Sequence, residues 1–316
     1  MSGPTVDILL ATYNGERYVG EQIESIQGQT YKDWRLLVSD DCSSDGTLGV
    51  VKSYAAGDSR ISVASEGVRY GGAKENFFAL MAKSSAPYVM FCDQDDFWLP
   101  PKVEKSLEAI HSLEAKSGKD KPLLVFCDMK VVDAGLGVIS DSFETYRHFD
   151  PHRLSLRHLI AQNVAAGCCM LANRAALDLL DNSGQHERIE MHDWWLMLAV
   201  SAFGHIGYIE EPLSLYRQHG DNEVGAVKYS PLTTAKDIGF MEEQFLSVID
   251  QAEAFLDSYG DMLPVEEAQS LKKFISIRCS KNPFQSMAAL LSSGCLKKGL
   301  RVSGQMVVSV RISLGK

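Results

Sequence analysis

The stretch VDILLATYNG, residues 6–15, decides the fold. Its apolar residues are continuous, and they stop at Thr12-Tyr13-Asn14-Gly15, a turn signal. That pattern predicts a buried strand. Residues 16–28 follow with Tyr18, Val19, Ile23 and Ile26 at helical spacing and Gly28 where a helix would stop. WRLLVSDD then reads as a second strand ending in acids. Ser44-Asp45-Gly46-Thr47 is a turn leading into a helix through Val50, Val51 and Tyr54. ISVAS is a short third strand, Asn76 to Lys83 a helix, and YVMFCDQDD a fourth strand. Lys102 to Ala115 is amphipathic helix, and PLLVFCDMKVVD is a further strand. Strand and helix in alternation imply parallel pairing, hence an α/β architecture with a doubly wound, mostly parallel, Rossmann-like sheet flanked by helices.

The second half changes character. Residues 141–162 are polar and rich in His and Arg, a flexible or acceptor-facing segment. NVAAGCCMLANRAALDLL reads as a strand and then a helix after Asn173. IEMHDWWLMLAVSAFG places His192-Asp193 ahead of a strongly apolar helix, and GYIEEPLSLYRQHGDN is a strand or hairpin ending at Arg217-Gln218-His219. From about residue 231 the pattern is helical, with Phe240, Phe245, Ile249 and Phe255 in phase. The expected division is a domain over 1–230 and a helical, basic extension over 231–316.

A hydrophobic fraction of 45% with 23% charged residues is that of a globular protein in water. No apolar run reaches the ~18 residues of a membrane-spanning helix. MSGPTVDILL has no basic region before its apolar run, unlike a secretory signal. Seven cysteines with no CxxC pair suggest reduced thiols and a cytoplasmic setting. Cys168-Cys169 read as buried apolar fill. The net charge of -10 is uneven: Leu271 to Lys316 holds nine Lys or Arg and no Asp or Glu. The acidic remainder argues against nucleic-acid binding. The basic tail suits the anionic inner face of a membrane, docking on the acidic body, or a homo-oligomer contact.

Ligands of open α/β sheets bind beyond the carboxyl ends of the strands. Three such ends converge here: Thr12-Tyr13, Asp40-Asp41 and Asp93-Gln94-Asp95. Like charges at close range repel, so the acids call for a partner. Alternate residues of an extended segment point the same way, which lets Asp93 and Asp95 face one ligand. Oxygen donors suit Mg2+ or Mn2+ together with substrate phosphates. The alternative is a solvated acidic turn with Asp96 capping the next helix. Asp40 or Asp41 can accept a hydrogen bond from a base or a ribose, or serve turn chemistry. Asp193 is a helix cap or, beside a metal-phosphate site, a general base. His219 is structural or a nitrogen ligand to the same metal.

The blocks ILLATYNGERYVGEQIESIQGQTYKDWRLLVSDDCSSDGT, FCDQDDFWLPPKVE, NVAAGCCML, MHDWW and YRQHG occur in one order across roughly residues 5–225. With them the chain resembles the family 2 glycosyltransferases of the GT-A fold, and in DQDD, HDWW and YRQHG the rhamnosyltransferase-like bacterial members that build cell-surface polysaccharide such as O-antigen. The resemblance implies that Thr12, Tyr13, Asn14 and Glu16 lie at the nucleotide, Tyr13 by stacking. It places Asp40 or Asp41 on base or ribose, and Asp93 and Gln94 near the ribose or donor sugar. It makes Asp95 and His219 metal ligands and Asp193 the catalytic base. Asp96, Trp98, His192, Trp194, Trp195 and Arg217 fall on the acceptor side. The family's usual Asn-x-Gly loop reads here as RYGGAKENF, which leaves Arg69, Gly71 and Asn76 as donor-site candidates. The Q-x-x-R-W signature of processive members is replaced by RQHG, implying one sugar per encounter.

The function this implies is inverting, metal-dependent sugar transfer. The donor is a nucleoside-diphosphate sugar, dTDP-linked rhamnose first and UDP sugars next, and the acceptor is a glycan or polyprenyl-linked oligosaccharide. Competing readings are a nucleotidyltransferase, which would release pyrophosphate, and a metal-independent glycoside hydrolase with paired carboxylates. An inactive binding module is a further one, because folds host many functions.

Overall fold

The computed structural model describes residues 6–180, 186–220, 238–299 and 301–315. In chain order the elements are β1 (Val6–Thr12), α1 (Val19–Gln27), β2 (Trp34–Asp40), α2 (Thr47–Gly57), β3 (Ile61–Ser65), α3 (Ala73–Lys83), β4 (Tyr88–Cys92), β5 (Phe97–Trp98), α4 (Lys102–Ser117), β6 (Leu123–Val132), β7 (Val138–Ser140), α5 (Phe143–Arg147), α6 (Leu156–Ala161), β8 (Met170–Asn173), α7 (Arg174–Asp178), α8 (His192–Phe203), β9 (His205–Arg217), α9 (Ile238–Tyr259), α10 (Val265–Ser276), α11 (Pro283–Ser293) and α12 (Arg301–Ser313). They divide into two compact units. The first holds Met1–Arg147, Ala165–Leu180 and Phe203–Val227, and the second holds His148–Val164, Asp181–Ala202 and Lys228–Lys316. The boundary expected near residue 231 lies outside the described residues.

The first unit contains a sheet in the order β3-β2-β1-β4-β8-β6-β9-β5, with β7 on β6. β1 pairs in parallel with both β2 and β4, and β2 with β3. β8 enters antiparallel between β4 and β6, and β6 then pairs in parallel with β9. The sheet is therefore mixed: its first half is the parallel array the alternation predicts. Val6, Ile8 and Leu10 of β1 pack with Val19, Ile23 and Ile26 of α1 and with Leu36 and Val38 of β2 in one apolar core. The register sets Thr12 level with Asp40 and Leu10 level with Cys92, so these strands finish along one edge.

Two expectations need correction. The fourth strand ends at Cys92, and Asp93–Asp96 form a turn rather than an extended continuation. The alternation argument for Asp93 and Asp95 therefore does not apply. Residues 141–162 contain two short helices, α5 and α6.

The second unit is helical. Trp195 of α8 packs edge-on against Phe255 at 5.3 Å and lies near Tyr259, and Phe245 of α9 meets Phe274 of α10 at 5.5 Å. Of the four residues placed in phase, Phe245, Ile249 and Phe255 are buried and Phe240 is exposed. Among the described residues no helix is long and apolar enough to cross a membrane.

β1 carries a carboxylate, Asp7, that is fully buried. Such a charge persists only when paired and hydrogen-bonded. Arg35 Nε and Nη2 donate to it at 2.8 and 3.0 Å, Ser84 Oγ at 2.8 Å, and the Ala86 amide at 3.1 Å. This fastens the start of β4 to β1. Asp7→Ala strands those donors and should lower the unfolding free energy by about 3 kcal/mol. Arg35→Ala removes a half-exposed partner and should cost about 1 kcal/mol. Urea denaturation of both variants checks the difference.

Candidate active site

At the ends of β1 and β2 the acids are already occupied by protein donors. Asp40 Oδ1 accepts from Thr12 Oγ1 at 2.9 Å and from Ser43 Oγ at 2.6 Å, and its Oδ2 accepts from the Ser43 amide at 2.9 Å. Asp41 accepts from the amides of Tyr70, Gly71 and Gly72, the last two at 3.0 Å. Successive amides around one carboxylate form a nest, and Gly71 at φ +87 takes the backbone conformation this requires. Both aspartates therefore shape loops. Arg69 is exposed on the loop that Asp41 gathers. Asn76 is buried, its Nδ2 donating to the Ser39 carbonyl at 3.0 Å and holding α3 against the end of β2.

The loop after β1 is laced to the loop after β2. Asn14, at φ +47, donates its amide to Ser43 Oγ and accepts from the Ser44 amide at 2.8 Å. The Glu16 amide reaches Asp45 at 3.1 Å, and Glu16 Oε2 accepts from the Gly46 amide at 2.9 Å. Desolvation raises the pKa of Asp45, but hydrogen bonds led by those from Thr47 outweigh it and hold the carboxyl below its ordinary value. Tyr13 is clamped through its backbone alone. Its amide donates to Gln94 Oε1 and its carbonyl accepts from Gln94 Nε2, both at 2.9 Å. The residue is left 49% exposed. A Cβ on Gly15 would lie 2.1 Å from Gln94 Oε1, so this glycine makes room for the clamp.

The turn Asp93–Asp96 connects β4 to β5, and β5 pairs antiparallel with β9, Phe97 opposite Leu215. That pairing brings the end of β9 beside the turn. Arg217, 2% exposed, donates its amide to Asp96 Oδ1 at 3.1 Å and its Nε to the Asp95 carbonyl at 2.7 Å. His219 Nε2 lies 2.7 Å from Asp95 Oδ2, and its ring stacks on Tyr18 at 4.7 Å. Both side chains of the pair are mostly buried. Burial, reinforced by neighbouring Asp95, pushes the Asp96 carboxyl up to about 7. Donor atoms of Asp93, Asp96 and Cys168 lie within 4.8 Å of one another. Trp98 is wholly buried beneath Lys102, whose Nζ sits 4.0 Å from its ring centroid and donates to the Cys168 carbonyl.

The second unit holds the remaining candidates. Asp193, in the first turn of α8, is buried and accepts from the Trp194 amide and, at 3.5 Å, from Asn163 Nδ2. Trp194 Nε1 donates to the Leu159 carbonyl at 2.6 Å. Trp195 lies in the apolar core. His192 is buried, and loss of solvation holds its imidazole neutral, the pKa lowered to about 3.

Residues 7–119 match the family model described as glycosyl transferase family 2. The chain is a glycosyltransferase, and over this segment it is similar to family 2. Its α/β architecture is that of GT-A enzymes. The glycosyltransferase is 26% identical over 249 residues to the dTDP-rhamnosyl transferase RfbG of Shigella flexneri, spanning 74% of this chain and 81% of that one. A 36% identical segment of 102 residues, 32% of this chain and 39% of the other, matches the Escherichia coli UDP-Glc:alpha-D-GlcNAc-diphosphoundecaprenol beta-1,3-glucosyltransferase WfgD. Among solved structures, S. aureus TarS 1–349 in complex with UDP-GlcNAc aligns at a TM-score of 0.54 and 15% identity, over 98% of this chain and 90% of that chain. The mannosyltransferase PcManGT from Pyrobaculum calidifontis, in complex with GDP-Man and Mn2+, aligns at 0.51 and 15%, over 98% and 81%.

Within the glycosyltransferase the first unit brings Thr12, Tyr13, Asn14, Glu16, Asp40, Asp41 and Gln94 into one laced edge, and Asp95, Asp96, Arg217 and His219 into one cluster. Tyr18, Glu21, Lys102 and Cys168 were not legible as site residues: their helical or apolar setting carries no motif, and only the fold turns them toward the acids. His192 supplies a pH test. Below pH 6.5, its ordinary pKa, the unfolded chain takes up a proton that the native state refuses. Its contribution to stability is thus complete above that pH and is lost toward pH 3, at up to about 1.4 kcal/mol per unit. His192→Leu should flatten that part of the dependence, read from denaturation midpoints across the window.

Proposed function

We propose that this glycosyltransferase moves a sugar from a nucleoside-diphosphate donor to a glycan or polyprenyl-linked acceptor during cell-surface polysaccharide synthesis, with inversion and one sugar per encounter. The single observation that carries this reading is the pair Asp95–His219, 2.7 Å apart, in the same unit as the exposed Tyr13. The relatives named above support the donor and acceptor classes. One is named for dTDP-rhamnosyl transfer and another for transfer to a diphosphoundecaprenol-linked sugar. Rhamnose carried on dTDP is the first donor to test, UDP sugars the next.

The residues fit a divalent cation, Mg2+ or Mn2+. A carboxylate oxygen and an imidazole nitrogen converge, the Asp95 backbone is fixed by Arg217, and the His219 ring is fixed by Tyr18. Such an ion, when bound, offsets charge on the departing diphosphate. Tyr13, its backbone held by Gln94, presents a ring for the base to stack on. Asp93, partly exposed at the end of β4, lies on the donor sugar or ribose. In the reaction the acceptor oxygen bonds to the anomeric carbon while that carbon's bond to the diphosphate oxygen breaks on the opposite face. The hydroxyl proton passes to the Asp193 carboxylate.

A thermal-shift panel of dTDP, UDP, GDP and CMP, each with Mg2+, Mn2+ or chelator, tests the donor half. A ligand that binds the native state raises its apparent stability. One diphosphate should give a metal-dependent shift that Asp95→Ala abolishes. No shift with any nucleotide would overturn the reading in favour of a hydrolase or an inactive module. Asp193→Asn should keep the nucleotide shift and lose transfer by at least about a hundredfold, the usual scale for a positioned base. Loss of the shift in that variant would refute the base assignment.

A further inference from the structure

Two helices of the second unit bury several hydroxyl side chains and expose several apolar ones. A helix on the surface of a protein in water ordinarily buries its apolar stripe and exposes polar residues. On α11 the buried positions are Ser286, Leu290 and Ser293, and Ser286 Oγ donates to the Ser309 carbonyl of α12 at 2.8 Å. Its exposed positions include Phe284, Ala288 and Leu291, spaced i, i+4, i+7 along one stripe. Phe284 is 84% exposed. On α12, Gln305, Val308, Ser309 and Ser313 are buried, while Val307 on the helix and Leu314, one residue past its end, are each 54% exposed. Small hydroxyl side chains between helices allow close backbone approach, the packing used where the surroundings are apolar.

The charge of the same region has one sign. Nine Lys or Arg and no Asp or Glu lie between Leu271 and Lys316. Arg278 and Arg311 are engaged by Asp250, Glu253 and Glu242 of α9. Lys272, Lys273 and Lys281 are exposed. Exposed apolar side chains in a segment whose charges are all basic have two candidate occupants, a bilayer surface and a second copy of the chain. A second copy would bring the same unbalanced basic face against itself. An anionic leaflet complements it.

We propose that the outward faces of α11 and α12 seat this glycosyltransferase on an anionic lipid leaflet. Phe284, Leu291, Val307 and Leu314 enter the headgroup–acyl boundary, and the exposed lysines meet lipid phosphates. This deepens the proposed function, whose lipid-linked acceptor would lie in that leaflet, and it rests on that reading only for its purpose.

The test is co-sedimentation of the full chain with vesicles of phosphatidylcholine alone or mixed equally with phosphatidylglycerol. The wild type should bind the mixed vesicles, with affinity at least about tenfold lower for neutral vesicles or in high salt. Phe284→Ser/Leu291→Ser/Val307→Ser should lose at least about tenfold on the mixed vesicles at unchanged melting temperature. Lys272→Glu/Lys273→Glu/Lys281→Glu, an exposed set that guards against misfolding of the first variant, should lose the preference for anionic lipid. Absence of wild-type binding, or equal binding by the variants, overturns the proposal. A wild-type dimer that the serine variant dissociates also overturns it and assigns the face to a second copy. The nucleotide shift measured on the same preparations separates failure of the lipid surface from failure of the donor site.

Discussion

The charge of Arg217 governs the geometry of the acidic edge. A guanidinium that is almost wholly buried must be surrounded by acceptors. Its Nε finds the Asp95 carbonyl, its Nη1 the Ala134 carbonyl at 2.8 Å, and its Nη2 Glu21 Oε2 at 2.6 Å, while the plane rests 4.6 Å from the centre of the Tyr18 ring. One cation thus binds the end of β9 to α1, to the loop after β6 and to the turn after β4. Lysine could not replace it, because a single ammonium lacks the planar fork that reaches donors' partners in several directions.

A second principle organises the acids. The edge is crowded with carboxylates, yet several of them are met locally by hydrogen-bond donors: Asp40 by hydroxyls, Asp41 by a nest of amides, Asp45 by Thr47. Asp93 and Asp95 stand apart from that loop lacing. In a fold whose ligands approach from the strand ends, that separation divides carboxylates that build the loops of the edge from those of the turn after β4, where Asp95 meets His219 at 2.7 Å.

How much of this was legible depended on the range of the interaction. β1, β2 and β3 were readable because an uninterrupted apolar run is a local signal, and their parallel pairing followed from alternation with helices. The insertion of β8 antiparallel between β4 and β6 was not readable, since Met170–Asn173 carries no mark of its pairing partner. The DQDD cluster was found, but its shape was misjudged: the apolar run gives no sign that β4 ends at Cys92. The candidacy of Asp40 and Asp41 was visible, but their saturation was not, because it depends on Ser43 and on a loop some thirty residues onward. Arg217 and His219 stood out as a motif, whereas the burial of one and the stacking of the other required the whole sheet.

The bond from Arg217 to Glu21 joins residues 196 positions apart, and it sets a schedule for the chain as it is made. Domains tend to form from the N-terminus as synthesis proceeds, and contacts this distant in sequence close late. β1 to β4 can pair while the ribosome is still far from Arg217. The turn after β4 then waits, its Asp95 carbonyl without the guanidinium and its Asp95 carboxylate without the imidazole, until β9 has been translated and has docked along β6. A nascent chain released before that moment would contain the whole segment that matches the family model and still lack an assembled centre.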